Sequence, residues 1–225
     1  RLNGAGVYVA TYAVPAGQDG TGLKPGAFVA GTVNATNLKA AYDVLPKSTR
    51  HSAVVALEQD VGPVTLSGDV RFAHREIDAH NSAATTTLNL TAANPYYVSP
   101  TGQSSERIAY SFQNERPGID NWGVSESLGV SLGAKTALPA GWNGELSGTY
   151  GQEVGISHSS GQSNTTYLSE AAGLTADSPL TAFSAARDGY FNPYIGAGSN
   201  PAKVLDFILS GWDLSKVRSE SKSVN

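Results

Sequence analysis

The residues that could do chemistry are few and scattered. His74-Arg75-Glu76 and His80 fall close together. On an extended strand His74 and Glu76 would share a face, as would His80 if the strand persisted, because side chains alternate. A zinc site needs three protein ligands held in orientation. Arg75 and Asp78 beside these residues read better as a solvated rim, and no metal site is expected. Cysteine is absent, which removes disulfides and thiolate ligands. Gly155-Ile156-Ser157-His158-Ser159 offers a hydroxyl beside an imidazole, but not the strand-turn-helix setting of a nucleophile elbow. Gly129, Gly133 and Gly148 recur at strand period, unlike a phosphate-cradling loop; their simplest role is to relieve crowding on a curved wall. No cofactor motif emerges, and the expectation is that the chain is not an enzyme.

Aromatic and amide side chains gather at two places, Asn94-Pro95-Tyr96-Tyr97 and Tyr190-Phe191-Asn192-Pro193-Tyr194. Tyr96, Tyr97, Tyr190, Asn192 and Tyr194 could stack on and hydrogen-bond a small-molecule ligand. The same motifs could instead fold the loop, with each Asn capping a turn and each ring packed beneath it.

The elements that would carry these residues show in the period of the sequence. From Val64 the even positions read Val, Leu, Gly, Val, Phe, His, while the odd ones read Thr, Ser, Asp, Arg, Ala, Arg. Trp122 to Lys135 alternates in the same way, with Leu128, Val130 and Leu132 against Ser127, Gly129 and Ser131, and Trp142 to Gly151 repeats the pattern. Such alternation marks strands, longer than the ~5–6 residues of a usual globular strand. Shorter runs place strands near residues 6–13, 51–60, 107–113 and from 216 onward. Asp60-Val61-Gly62-Pro63 and Leu138-Pro139-Ala140-Gly141 read as tight hairpin turns, whereas residues 15–50, 78–106 and 158–216 are long polar excursions. Pro201, Val204, Leu205, Ile208 and Gly211 outline one short loop helix.

Composition narrows the class. Among 225 residues only 15% are charged and 40% hydrophobic, with 25 glycines; soluble domains usually carry ~25% charge. A net charge of −4 offers no field for nucleic acid. Three Trp, ten Tyr and six Phe exceed what a disordered chain carries. No apolar run is long enough for a membrane-crossing helix, but barrel strands alternate and escape hydropathy averages. Long strands, short turns at one end and long loops at the other describe an outer-membrane barrel wall, with Trp142 at one interface and Trp122, Tyr110, Tyr96 and Tyr97 toward the other. Glu126, on the apolar face, would then lie at or above the interface.

The loop motifs carry a family resemblance. Asn94-Pro95-Tyr96-Tyr97-Val98-Ser99-Pro100-Thr101-Gly102 resembles an NPFxxSPTG-type segment in the barrels of TonB-dependent receptors. Phe191-Asn192-Pro193-Tyr194, followed by Gly196, Gly198, Asn200 and Pro201 to Ile208, is similar to a second loop of that family. Leu45-Pro46 with Arg50-His51-Ser52, Leu138-Pro139-Ala140-Gly141-Trp142 and Pro15-Ala16-Gly17-Gln18-Asp19-Gly20 resemble three further barrel segments. The resemblance implies an all-β fold: an antiparallel meander of long strands forming part of a transmembrane barrel wall, with long extracellular loops and a short loop helix. Residues 1–225 would be a fragment of the barrel domain, about five to six strands, without plug or TonB box; the absence of an initial Met fits a piece of a longer chain. Implied partners are the plug and remaining barrel of the same receptor, the TonB complex acting through that plug, outer-membrane lipid and a small-molecule ligand, with no nucleic acid. The implied function is import of a scarce nutrient such as a siderophore or oligosaccharide. The alternative is a soluble or surface-exposed β-rich binding module, an adhesin or carbohydrate-binding sandwich, in which Leu66, Val70, Phe72, Leu128, Val130, Leu132 and Leu146 would face a second sheet.

Overall fold

The computed structural model describes residues 11–116, 118–195 and 200–225, and the chain is largely β. It divides into two compact units, one of residues 1–42, 80–119 and 160–212, the other of residues 43–79, 120–159 and 213–225. Most of the strand expected at residues 6–13 lies outside the described residues; a two-residue strand β1 (Tyr12–Ala13) pairs with β2 (Val29–Ala30). Gly196 and Gly198 also lie outside them.

Five long strands form one sheet: β3 (Lys47–Val61), β4 (Val64–Ser82), β7 (Gly118–Ala137), β8 (Asn143–Gln162) and β9 (Gly211–Val224). Their order is β3-β4-β7-β8-β9, so sequential strands of the sheet are spatial neighbours. The β3–β4 register is antiparallel from Lys47↔Asp78 to Val61↔Val64. Contacts between His74 and Glu126, Trp122 and His158, and Thr149 and Ser223 carry the antiparallel pattern across the rest. The two tight turns fall as expected. Gly62 sits at φ +62° between β3 and β4, a conformation that costs glycine little. Leu138 N–H donates to Trp142 O at 2.7 Å across the 139–141 turn. No closed barrel occurs among the described residues.

The long connections hold more order than their polarity announced. The 78–106 excursion contains β5 (Thr85–Thr91), which pairs with β6 (Ser105–Ser111) as a separate hairpin. The described residues of 158–216 contain three helices rather than one: α1 (Thr165–Ala171), α2 (Ala185–Asp188) and α3 (Ala202–Ile208). Asn164 starts α1 by accepting from Thr166 N–H and Tyr167 N–H, the usual N-cap arrangement. These connections enclose a true core. Phe112, Phe191, Leu90, Ile208 and Val204 are fully buried, packed with Leu88, Leu168, Phe183 and Leu205.

Candidate functional site

In the loop-rich unit the two Asn-Pro-aromatic motifs use the same local chemistry. Asn94 Oδ1 accepts from Tyr96 N–H at 2.9 Å, and Asn192 Oδ1 accepts from Tyr194 N–H at 3.0 Å. Each Asn thereby closes a turn two residues ahead, with proline fixing φ between. The amide nitrogens reach outward: Asn94 Nδ2 donates to Ala172 O at 3.0 Å and Phe191 O at 2.9 Å, and Asn192 Nδ2 donates to Asp19 O at 2.7 Å. Tyr194 Oη donates to Val98 O at 2.9 Å, so the second motif is tied to the segment following the first.

Of the five residues singled out as ligand contacts, Asn192 and Tyr194 are buried and their polar atoms are bonded within the fold. Burial pushes the Tyr194 hydroxyl up to about 12, with Glu106 and Tyr97 adding to the shift. Tyr96, Tyr97 and Tyr190 are half-buried against the same core. Tyr97 Oη donates to Gln103 O, and the Tyr190 ring lies against Gly173, where a Cβ would come within 2.8 Å of it. All five thus lie in or against the loop core.

Beside them lies a polar network that no motif in the sequence signals. Glu115 Oε1 accepts from Asn200 N–H at 2.7 Å and Nδ2 at 2.9 Å, and Glu115 Oε2 accepts from Tyr110 Oη at 2.8 Å. Asn200 Oδ1 accepts from Asn192 N–H at 2.7 Å. Tyr110, whose position allows either an interfacial or a core aromatic, packs in the core, edge-on to Phe112 and Phe191. Burial first and then the neighbouring Glu115 charge hold its hydroxyl far above its ordinary value.

The sheet unit has the opposite character. Direct pairs such as Val55↔Val70 and Ala53↔Phe72 place the odd residues of β3 with the even residues of β4 on one face. Even residues of β7 and β8 continue that face, as Gly68 against Leu132 and Trp122 against His158 show. From Ala53 to Val61, Val64 to Phe72, Leu128 to Leu138 and Trp142 to Tyr150, no charged side chain lies on it. Its members stay exposed: Val55 at 69%, Leu132 at 65%, Leu146 at 62% and Trp142 at 72%.

The opposite face carries the charges and hydroxyls. Arg71 pairs with Asp69 at 2.6 Å and Lys135 with Glu145 at 3.6 Å, while Ser125 Oγ donates to Glu153 at 3.2 Å. Two hollows lie on this face. One of about 540 Å³ is lined by Arg50, Ser52, Arg71, Ser127, Glu153 and Ser221, from the first strand to the last. The other, about 510 Å³, is lined by Glu58, Ser67, Asp69, Ser131, Glu145 and Thr149. The first hollow reaches from β3 to β9 and the second from β3 to β8, which makes this face the concave one. Glycines suit such crowding: a Cβ on Gly133 would meet Ser67 Oγ at 2.7 Å, and one on Gly151 would meet Ser221 Oγ at 2.9 Å.

Just beyond the apolar band the outer face changes. His74 Nδ1 lies 3.1 Å from Glu126 and its Nε2 3.2 Å from Glu76. Both ring nitrogens are thus engaged by carboxylates. No group of three metal-ligating side chains is found among the described residues. Compared with family models, curated proteins and solved structures, the chain matches none of them.

Proposed function

We propose that these residues form part of the wall of an outer-membrane β-barrel of the TonB-dependent receptor type, working in ligand-gated import of a scarce nutrient such as a siderophore or oligosaccharide. The observation that carries the reading is the partition of the long sheet. Its convex face is an uncharged band about ten residues deep on each of four strands, and its concave face carries the charges with Ser, Gly and a few apolar residues such as Val54. Ten residues at ~3.3 Å each, tilted ~45°, cover roughly 23 Å, close to the ~25 Å apolar belt of outer-membrane barrels. Trp142 at the short-turn end, with Phe72 and Tyr150 at the other, then stands where interfacial aromatics belong.

A water-exposed sheet has no reason to leave Val55, Leu132 and Leu146 bare, since apolar area removed from water is worth ~25 cal/mol per Å². Lipid supplies that removal. Backbone groups at the outer edges of β3 and β9 cannot stay unpaired in hydrocarbon, so the reading requires further strands as partners. A plug inside the barrel and the energising inner-membrane complex follow from the resemblance. No reaction is assigned: the polar wall would line a path, with the Asp69–Arg71 and Lys135–Glu145 pairs among its charges.

The reading is tested by fractionating cells that express the polypeptide containing these residues, and by comparing growth of a deletion strain on limiting iron or oligosaccharide. Recovery in the outer membrane, with a growth defect that disappears when the nutrient is abundant, is the expected result. Recovery as a soluble or surface-shed protein that binds carbohydrate without a transport defect would replace it with the binding-module reading.

A further inference from the structure

His74 stands on β4 in the row just beyond the uncharged band, and its imidazole is held from both sides. Nδ1 lies 3.1 Å from Glu126 Oε1 on β7, and Nε2 lies 3.2 Å from Glu76 Oε1 on β4 itself. An ionised carboxylate only accepts hydrogen bonds, and a neutral imidazole has one N–H to give. Two such neighbours at hydrogen-bond distance therefore fit the imidazolium, which donates from both nitrogens. The neutral ring can serve one carboxylate but turns a bare lone pair on the other. The His74 side chain is 23% exposed, against 60% for Glu76 and 56% for Glu126, so the ring is the most shielded member of the three.

The two contacts play different parts. His74–Glu126 joins one strand to its neighbour, whereas Glu76 is two residues along the same strand and ties no strands together. Glu76 instead makes the second proton matter, because it faces the nitrogen that a neutral ring bonded to Glu126 would leave bare. The register supplies the other neighbours. His51 on β3 is directly opposite His74, Thr49 opposite Glu76 and Ala53 opposite Phe72. Val124 and Leu128 flank Glu126 on β7, and Gln152, Val154 and Ile156 continue the face on β8. Among the described residues of these rows, His51 is the further titratable group, and its protonation would set like charges opposite each other.

Place gives the contact a use. β4 ends at Ser82, β7 starts at Gly118, and the chain between them carries the β5–β6 hairpin. His74 and Glu126 each stand eight positions from those ends, so they meet across the stem from which that excursion departs. We infer that Glu76, His74 and Glu126 form a proton-operated clasp between β4 and β7, closed while the imidazole carries its second proton and loosened when that proton leaves. The inference needs only the sheet and stands apart from the barrel-wall reading. A contribution that requires the bound proton is present in mild acid and lost as pH rises. Below about pH 4 the carboxylates take up protons themselves, and the clasp loses its anions.

The test is hydrogen exchange of the folded polypeptide containing these residues between pH 6 and pH 9, with the intrinsic rate at each pH divided out. Amides of residues 75–79 and 120–125 should exchange about two- to fivefold faster at pH 9, the range expected of exposed ion pairs. His74→Gln should abolish this response, and His51→Gln should leave it in place. Glu76→Gln should flatten the response yet keep the protection, since an amide can donate to the bare ring nitrogen. Nitrogen NMR of the unsubstituted protein should find hydrogens on both His74 ring nitrogens at pH 6 and on one at pH 9. A singly protonated His74 ring at pH 6 overturns the inference. So does a pH response that survives His74→Gln or Glu76→Gln undiminished, or one that vanishes with His51→Gln.

Discussion

The two units of this chain solve the problem of apolar surface in opposite ways. The loop-rich unit hides it: Phe112, Phe191, Leu90, Val204 and Ile208 are out of contact with solvent, and the amides among them are bonded to backbone carbonyls. The long sheet displays it: Leu132, Leu146 and Val55 stand bare on one side, and the other side carries hydroxyls, glycines and charges, with Val54 among them. The first is the economy of a protein in water. The second makes physical sense where the outer solvent is hydrocarbon and the inner one is water.

The contrast can be broken at its strongest point first. Phe191→Ala should cost about 3–5 kcal/mol and raise hydrogen exchange across α3, whereas Leu146→Ala, 62% exposed, should change the stability of the protein in water by less than ~1 kcal/mol. Equal losses at the two positions would erase the distinction between the units. The next effect belongs to the sheet in lipid. Leu132→Arg should destabilise the membrane-inserted protein by about 2–4 kcal/mol, measured by denaturant titration in bilayers, while Ser131→Arg, on the concave face, should cost far less.

Asn94→Ala sharpens the loop side. It removes the donor to Ala172 O and Phe191 O and the acceptor for Tyr96 N–H, and should cost about 1–3 kcal/mol, read by thermal unfolding. The cost should persist without any ligand, because the residue holds two loop motifs together.

The long strands were legible because their alternation runs far beyond ordinary strand length, and because Gly62-Pro63 and Pro139-Ala140-Gly141 mark the turns between them. β5 was not: Thr85-Thr86-Thr87-Leu88-Asn89-Leu90-Thr91 shows only two apolar residues, and its pairing depends on β6. α1 hid for a related reason, since its buried residues are Leu168, Glu170 and Ala171, which give no apolar stripe. Asn164 reads in sequence as one Asn-x-Thr triplet among three, and only packing shows that it is a cap. At the candidate site the motifs were visible but their direction was not. Nothing in Asn192-Pro193-Tyr194 says whether its side chains turn outward to a ligand or inward to Asp19 O and Val98 O.

The smallest effects are titrations of the loop unit. Arg187, the Ser184 N–H and Lys203 hold the Asp188 carboxyl below the usual carboxylate range. A group lowered in the fold contributes stability above its unfolded value, and that contribution fades as pH falls below about 4 toward the folded value. Asp188→Asn should therefore flatten the acid limb of the unfolding profile. At the other extreme Tyr194, pushed up to about 12, contributes stability below pH ~10 that is lost as pH rises toward its folded value; absorbance at 295 nm should show it ionising after the exposed tyrosines.

Oxygen and nickel-chelate accessibility of spin labels, placed one at a time from Leu128 to Ala134 in the membrane-embedded polypeptide, addresses the sheet most directly. These residues include no cysteine, so each label is unique among them. The account expects a period of two, with 128, 130, 132 and 134 open to oxygen in lipid and 129, 131 and 133 open to the aqueous chelate. Uniform water accessibility along the strand, or the opposite phase, would contradict it.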